Sequence, residues 1–331
     1  MSRSSDLSAA ETEVAEPGAS DSDARTAGSD RRARGATDAL RGDWRAVDWR
    51  RHQRWVRLAG GPINVIDVGS GPPVLFVHGL GGSWPNWLEQ LPVLSQGRRA
   101  IAFDLPGFGA SPMPDSEISI AGYARMIVEL MDKLGVYSAA LVGNSMGGEI
   151  AAELALREPG RVERLVLVSP AGISTAEVGK RLPLIRLAHP AVNILSGWIS
   201  GKADDLARRP WLRERAMATV ADQPRRIAPE FAAEQLRGMG KPGFLPALEA
   251  IVEHSGTLRD RLPEIGCPTL VLWGAKDPLV PVRDAEVFRS QIPGARKVVW
   301  EDTGHVAMFE RAADFNALLD DFLREDAAVS A

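Results

Sequence analysis

Ala139-Ala140-Leu141-Val142-Gly143-Asn144-Ser145-Met146-Gly147-Gly148 is a run of small and apolar residues that stops at Gly143, sets a serine between glycines, and passes into Glu149-Ile150-Ala151-Ala152-Glu153-Leu154-Ala155-Leu156. The G-x-S-x-G pattern between a buried strand and a helix puts the serine on a sharp turn at the strand's carboxyl end. Gly143 and Gly147 lack the side chains that would hold the helix off the strand. The free N–H groups of the helix start lie beneath the serine and favour negative charge. A plain glycine-rich turn with an incidental serine has the same five residues, so the rest of the chain must decide.

Apolar strands surround the turn. Thr269-Leu270-Val271-Leu272-Trp273 and Lys297-Val298-Val299-Trp300 resume the strand rhythm late in the chain, and Val74-Leu75-Phe76-Val77, Ala100-Ile101-Ala102-Phe103 and Arg164-Leu165-Val166-Leu167-Val168 lack the alternation of a half-exposed sheet. Such runs belong to strands covered on both faces. Helical patterns at about 118–134, 283–291 and 307–324 fall between or after them, which predicts a mainly parallel sheet with helices on both sides. Gln53–Leu58 and Ile63–Val68 flank Gly60-Gly61-Pro62 and predict an antiparallel hairpin. Between 173 and 257 the rhythm fails: Pro, Arg and Trp are scattered, helical pieces fall near 211–221 and 245–254, and no strand is evident. That stretch reads as a helical insertion.

A serine hydroxyl needs a neighbouring base to act as a nucleophile at neutral pH. The chain has five histidines. His52 lies in the polar start of the hairpin, His189 and His254 in the insertion, and His78 in a glycine-rich turn. His305 follows the last strand in Asp302-Thr303-Gly304-His305, and loops leaving the carboxyl ends of parallel strands share one edge. His305 therefore belongs beside Ser145. An acid must fix the imidazole tautomer. Asp277, after the preceding strand, is preferred over Asp302, which is too near His305 in sequence to reach the far side of the ring. Acyl transfer also needs N–H donors for an oxyanion. Met146 is one, and Leu80 in His78-Gly79-Leu80-Gly81-Gly82 is the other. Asp104, in Asp104-Leu105-Pro106-Gly107-Phe108-Gly109, is expected to shape its own loop by hydrogen bonding to the backbone.

The rest of the composition excludes more than it identifies. With 331 residues, 45% of them hydrophobic, the chain can bury a large core. Its 39 basic and 43 acidic residues are interspersed and give a net charge of -4, which argues against a nucleic acid partner. The lone Cys267 cannot form an internal disulfide and is expected as a buried filler. Residues 1–42 are polar and small, and are expected to be a disordered tail. No apolar run reaches the length of a membrane span, so no stable membrane insertion is expected, and a cytoplasmic location is the default. The glycines fit neither a dinucleotide fingerprint nor a phosphate loop, and no metal-ligand spacing occurs, so no cofactor or metal is expected. Nothing here indicates the oligomeric state.

With Ser145, Asp277, His305, the His78-Gly79 loop and the Asp104–Gly109 turn in order, residues about 50 to 325 resemble the α/β-hydrolase superfamily. The resemblance implies the α/β-hydrolase fold, with a mainly parallel eight-stranded sheet, helices on both faces and an inserted helical cap. The core would span 43–172 and 258–326, and the cap 173–257. It implies Ser145 as nucleophile, His305 as base, Asp277 as acid, and Leu80 and Met146 as the oxyanion hole, with Gly79, Gly81, Asn144 and Val306 contacting substrate. Leu184, Ile185, Leu187, Ile194, Leu195, Trp198 and Ile199 would either line an apolar pocket or pack the cap. The elbow resembles that of carbon–carbon hydrolases of aromatic ring-fission products, although Gly81-Gly82-Ser83-Trp84 and Val306 depart from their pattern. The leading expectation is a carboxylesterase or lipase-like serine hydrolase acting on a small apolar ester. Carbon–carbon hydrolysis comes second, and a non-catalytic ligand-binding protein of the same fold third.

Overall fold

In a computed structural model of the chain, residues 43–174 and 197–325 are described. The expected tail at 1–42, and Leu184, Ile185, Leu187, Ile194 and Leu195, lie outside them. Eight strands form one sheet: β1 (Gln53–Leu58), β2 (Gly61–Val68), β3 (Pro73–Val77), β4 (Arg99–Phe103), β5 (Ala139–Asn144), β6 (Val162–Val168), β7 (Thr269–Gly274) and β8 (Arg296–Trp300). Their spatial order is β1-β2-β4-β3-β5-β6-β7-β8. β2 runs antiparallel to both β1 and β4; β3 to β8 run parallel. The hairpin turn is Ala59-Gly60, one residue earlier than the sequence indicated, because Gly61 already pairs with Leu58. A two-residue connection matches the twist of paired strands.

Alternate residues of each apolar strand feed opposite layers. Leu75 and Val77 join the cluster that holds α1 (Ile120–Lys133) and α2 (Met146–Arg157). Val74 and Phe76 join the cluster on the other face. The amphipathic α1 starts where the Ser119 hydroxyl caps Gly122 N–H at 3.0 Å, and Gly135 follows its end with φ +66°. In contrast, α2 buries every residue from Met146 to Ala155, as a helix pressed between layers must. Strand order reverses around β3, which pairs with both β4 and β5, so the loops after β3 and β5 sit side by side on the carboxyl edge.

Between β6 and β7 the described residues contain helices and no strand. They form α3 (Ala203–Arg208), α4 (Pro210–Met217), α5 (Pro229–Gly238) and α6 (Phe244–His254). The end of α5 and its link to α6 meet the core closely. A β carbon on Gly238 would lie 1.5 Å from the Gly81 carbonyl oxygen. Gly243 N–H donates to Gly107 O at 3.1 Å, and Lys241 Nζ to Gly109 O at 2.7 Å. Trp198 is 60% exposed, whereas Ile199 packs onto the second core cluster. After β7 come α7 (Asp284–Gln291), β8, a single turn at Ala307–Glu310 and α8 (Ala312–Arg324). The sequence indicated one helix over these last two pieces; non-helical backbone at Arg311 (φ −136°, ψ 51°) divides it. No helix among the described residues is long and apolar enough to cross a membrane.

Candidate active site

Ser145 closes β5 with φ 55° and ψ −122°, a backbone state that a residue with a β carbon adopts at a cost of about 1–3 kcal/mol. The surrounding chain over-determines it. Ser145 N–H donates to Val168 O at 2.9 Å, and its carbonyl accepts from Gly148, Glu149 and Ala171 N–H at 3.0, 3.2 and 3.1 Å. A β carbon on Gly143 would lie 2.2 Å from Gly147 O, and one on Gly147 would lie 2.2 Å from Val77 O. Only glycine allows this crossing of strand and helix. Ser145 itself stays half-buried at the head of α2.

His305 and Asp277 leave β8 and β7 at the same edge. Asp277 Oδ2 lies 2.7 Å from His305 Nδ1, and Asp277 Oδ1 accepts from Leu279 and Val280 N–H at 2.8 and 2.9 Å. Burial pushes this carboxyl up. The His305 ring and the two amides outweigh that and hold it below the usual carboxylate range. With Nδ1 engaged, Nε2 is the ring nitrogen left for a hydroxyl. No hydrogen bond of the described residues joins it to Ser145 Oγ, and unliganded sites often show that contact long. The tie between the two residues runs instead through Asn144. Its Nδ2 donates to His305 O at 3.2 Å and to Val168 O at 3.1 Å. Asp302, the alternative acid, is 71% exposed and pairs with Lys276 at 3.1 Å.

The loop after β3 borders the serine directly, since a β carbon on Gly79 would lie 3.1 Å from Ser145 Cβ. Neither Leu80 N–H nor Met146 N–H donates to another described residue. His78 sets the orientation of the first. Leu105 N–H donates to His78 Nε2 at 3.0 Å, so Nδ1 carries the proton and donates to Gly79 O at 2.8 Å. Gly82 N–H donates to the same oxygen at 3.0 Å. Across a trans peptide the Gly79 carbonyl and the Leu80 N–H point in opposite directions, so anchoring one aims the other. Burial lowers the His78 pKa to about 4, which keeps the ring neutral and able to accept from Leu105. Asp104 shapes its loop as expected, accepting from Ala110 N–H at 2.8 Å, and it also accepts from Trp84 N–H at 2.7 Å.

The remaining expected contacts take different places. Asn144 is 3% exposed and commits its amide to the tie above; Val306 is 5% exposed within the second core cluster. Gly81 has φ +71° and faces the ring of Phe244 from α6. Cys267 is only partly buried, and burial pushes its thiol up to about 11, away from nucleophile chemistry. Sequence reasoning missed the anchoring role of His78 and the residues that hold the histidine loop. His78 carried a signal, since a polar ring closing an apolar strand must be satisfied by something nearby.

Comparison with known proteins bears on the fold. The family described as alpha/beta hydrolase fold matches residues 72–312. The chain belongs to that family. A dihydrolipoyllysine-residue acetyltransferase component of an acetoin cleaving system from Cupriavidus necator is 33% identical over 258 residues, covering 76% of this chain and 63% of that protein. A 2-hydroxymuconate semialdehyde hydrolase from a Pseudomonas species is 31% identical over 288 residues, 83% of this chain and 95% of that one. Among solved structures, a thermophilic esterase from Thermogutta terrifontis matches with TM-score 0.64 at 26% identity, covering 82% of this chain and 98% of that one.

Proposed function

We propose that the protein is a serine hydrolase that cleaves a carboxylic ester of a small apolar substrate through an acyl-enzyme. Ser145 Oγ attacks the carbonyl carbon as its proton passes to His305 Nε2. Asp277 holds the ring tautomer and stabilises the imidazolium. The tetrahedral oxyanion accepts from Leu80 and Met146 N–H, donors whose individual loss costs about 10²–10³ in rate. Collapse expels the alcohol, which takes the proton from Nε2. Water, deprotonated by the same nitrogen, then releases the acid and restores Ser145. Residues 173–257 act as a cap over this edge, and Phe244 brings an apolar surface to the oxyanion loop.

One observation carries the reading: a buried carboxylate 2.7 Å from the ring of a histidine whose backbone is tied to the residue before a strained serine. Short-chain nitrophenyl esters test it. Turnover should be present in the native chain and fall by at least about 10³ in Ser145→Ala; an undiminished rate in that variant contradicts the assignment. A second reading is supported by the similarity to a 2-hydroxymuconate semialdehyde hydrolase, namely hydrolysis of a carbon–carbon bond in a vinylogous diketone by the same residues. A coloured dienoate that bleaches faster than any ester turns over would favour that bond.

A further inference from the structure

We propose that Glu310 is a positioning residue for His305, holding the segment 220–223 of the helical insertion onto the histidine loop so that the insertion helps to set the base. The inference rests on the reading of His305 as the base.

Glu310 is 4% exposed, at the end of the turn that follows His305. Its two carboxylate oxygens face different parts of the chain. Oε1 accepts Gly304 N–H at 2.8 Å, from the residue next to His305. Oε2 accepts Gln223 N–H at 2.9 Å. Gln223 lies between α4 and α5, so one side chain joins the insertion to the histidine loop. Other contacts converge on this joint. His305 N–H donates to Val220 O at 2.8 Å, and Gln223 Nε2 donates to Asp302 O at 3.1 Å. Lys276 Nζ bridges Asp222 at 3.2 Å and Asp302 at 3.1 Å. The surfaces leave no slack, since a β carbon on Gly304 would lie 2.6 Å from Asp222 N.

The chemistry at Glu310 is demanding. A buried carboxylate surrounded by backbone N–H donors is an acceptor on every side, and the amide of a glutamine would present a donor to one of them. Removing the acceptor leaves buried N–H groups unpaired, and the loop would then shift to rehydrate them. The loop that shifts carries His305, whose contact with Asp277 and approach to Ser145 tolerate little displacement. A misplacement of about 1 Å at a reacting group costs on the order of 10²-fold in rate.

The test compares native protein, Glu310→Gln and Glu310→Ala. Rates are expressed per active site titrated with a serine-directed phosphonate, so that lost folding does not register as lost catalysis. The expected result is a kcat per titrated site lowered about tenfold in Glu310→Gln and further in Glu310→Ala. KM should stay within about threefold, and the acid limb of the pH–rate profile should move, because the base itself has shifted. Native turnover per titrated site with an unmoved acid limb overturns the proposal. If neither variant accumulates as folded protein, Lys276→Gln combined with Gln223→Ala loosens the same joint from its exposed side. A several-fold fall in kcat per site supports the proposal, and none overturns it. Ser145→Ala separates the two claims: a rate that survives it refutes the hydrolase reading, whereas a rate lost there but intact at Glu310 refutes only the positioning role.

Discussion

The turn at Ser145 and the loop at His305 are built in opposite ways. Every backbone bond of Ser145 goes to β6, to the residues just after it or to its own helix: Val168, Ala171, Gly148 and Glu149. The histidine loop is held from a distance, by Val220 and Gln223 from between α4 and α5, by Asn144 from β5 and by Asp277 after β7. The strained serine is thus fixed by the sheet and its own helix, and His305 by the sheet and the insertion together. Damage to the sheet should therefore cost stability first, whereas damage at the insertion should cost turnover first.

Two glycines sharpen that contrast, because each admits a backbone neighbour where a methyl group cannot go. A β carbon on Gly147 would lie 2.2 Å from Val77 O, between the interior strand β3 and α2, neither of which can yield cheaply. Gly147→Ala should lose about 3 kcal/mol or more in urea unfolding, the larger of the two losses in stability. Gly304→Ala puts its methyl against Asp222 N, on a connecting segment outside the sheet. It should lose less stability than Gly147→Ala yet fall about tenfold in kcat per titrated site. Equal profiles for the two variants would break the comparison.

A smaller effect tests a place where α2 also holds the insertion. His254, ending α6, lies 2.8 Å from Glu149 and 3.4 Å from Glu153 on α2, and Arg157 and Arg261 also pair with Glu153. Glu249 and Glu253 share its own helix. Burial alone would lower the His254 pKa; the two glutamates overcome it and raise it to about 9. An unfolded histidine gives up its proton near the ordinary value of about 6.5. The native state therefore binds more protons between these values. This contribution to stability is complete below about 6.5 and is lost as pH rises through about 9. His254→Gln should flatten the alkaline fall in unfolding free energy, a slope of at most about 1.4 kcal/mol per pH unit. An identical slope in the variant would show that His254 is not charged in the folded chain.

The same contrast explains what could be read from the sequence. The strands, the elbow, and the order Ser145, Asp277, His305 were legible because each is written in a few adjacent residues: an apolar run, a glycine pair, a loop after a strand. The supports of His305 were not. Glu310 reads as an ordinary helical glutamate until Gly304 and Gln223 are brought to it by the fold. Within the insertion, α3 and α5 went unread, although Ala228-Pro229-Glu230 is a good helix start with proline in the first turn. Short helices that rest on another layer carry weak periodicity of their own, and packing rather than propensity holds them.

The central claim is that Ser145, His305 and Asp277 act as one relay beside the Leu80 and Met146 amides. Its most direct measurement is a crystal structure of the protein after reaction with a serine-directed phosphonate. The account predicts phosphorus bonded to Ser145 Oγ, the phosphonyl oxygen about 2.7–3.1 Å from both amide nitrogens, and His305 Nε2 within hydrogen-bond reach of the adduct. Phosphorus on another side chain, or an adduct on Ser145 with the imidazole turned away and the phosphonyl oxygen in solvent, would contradict it.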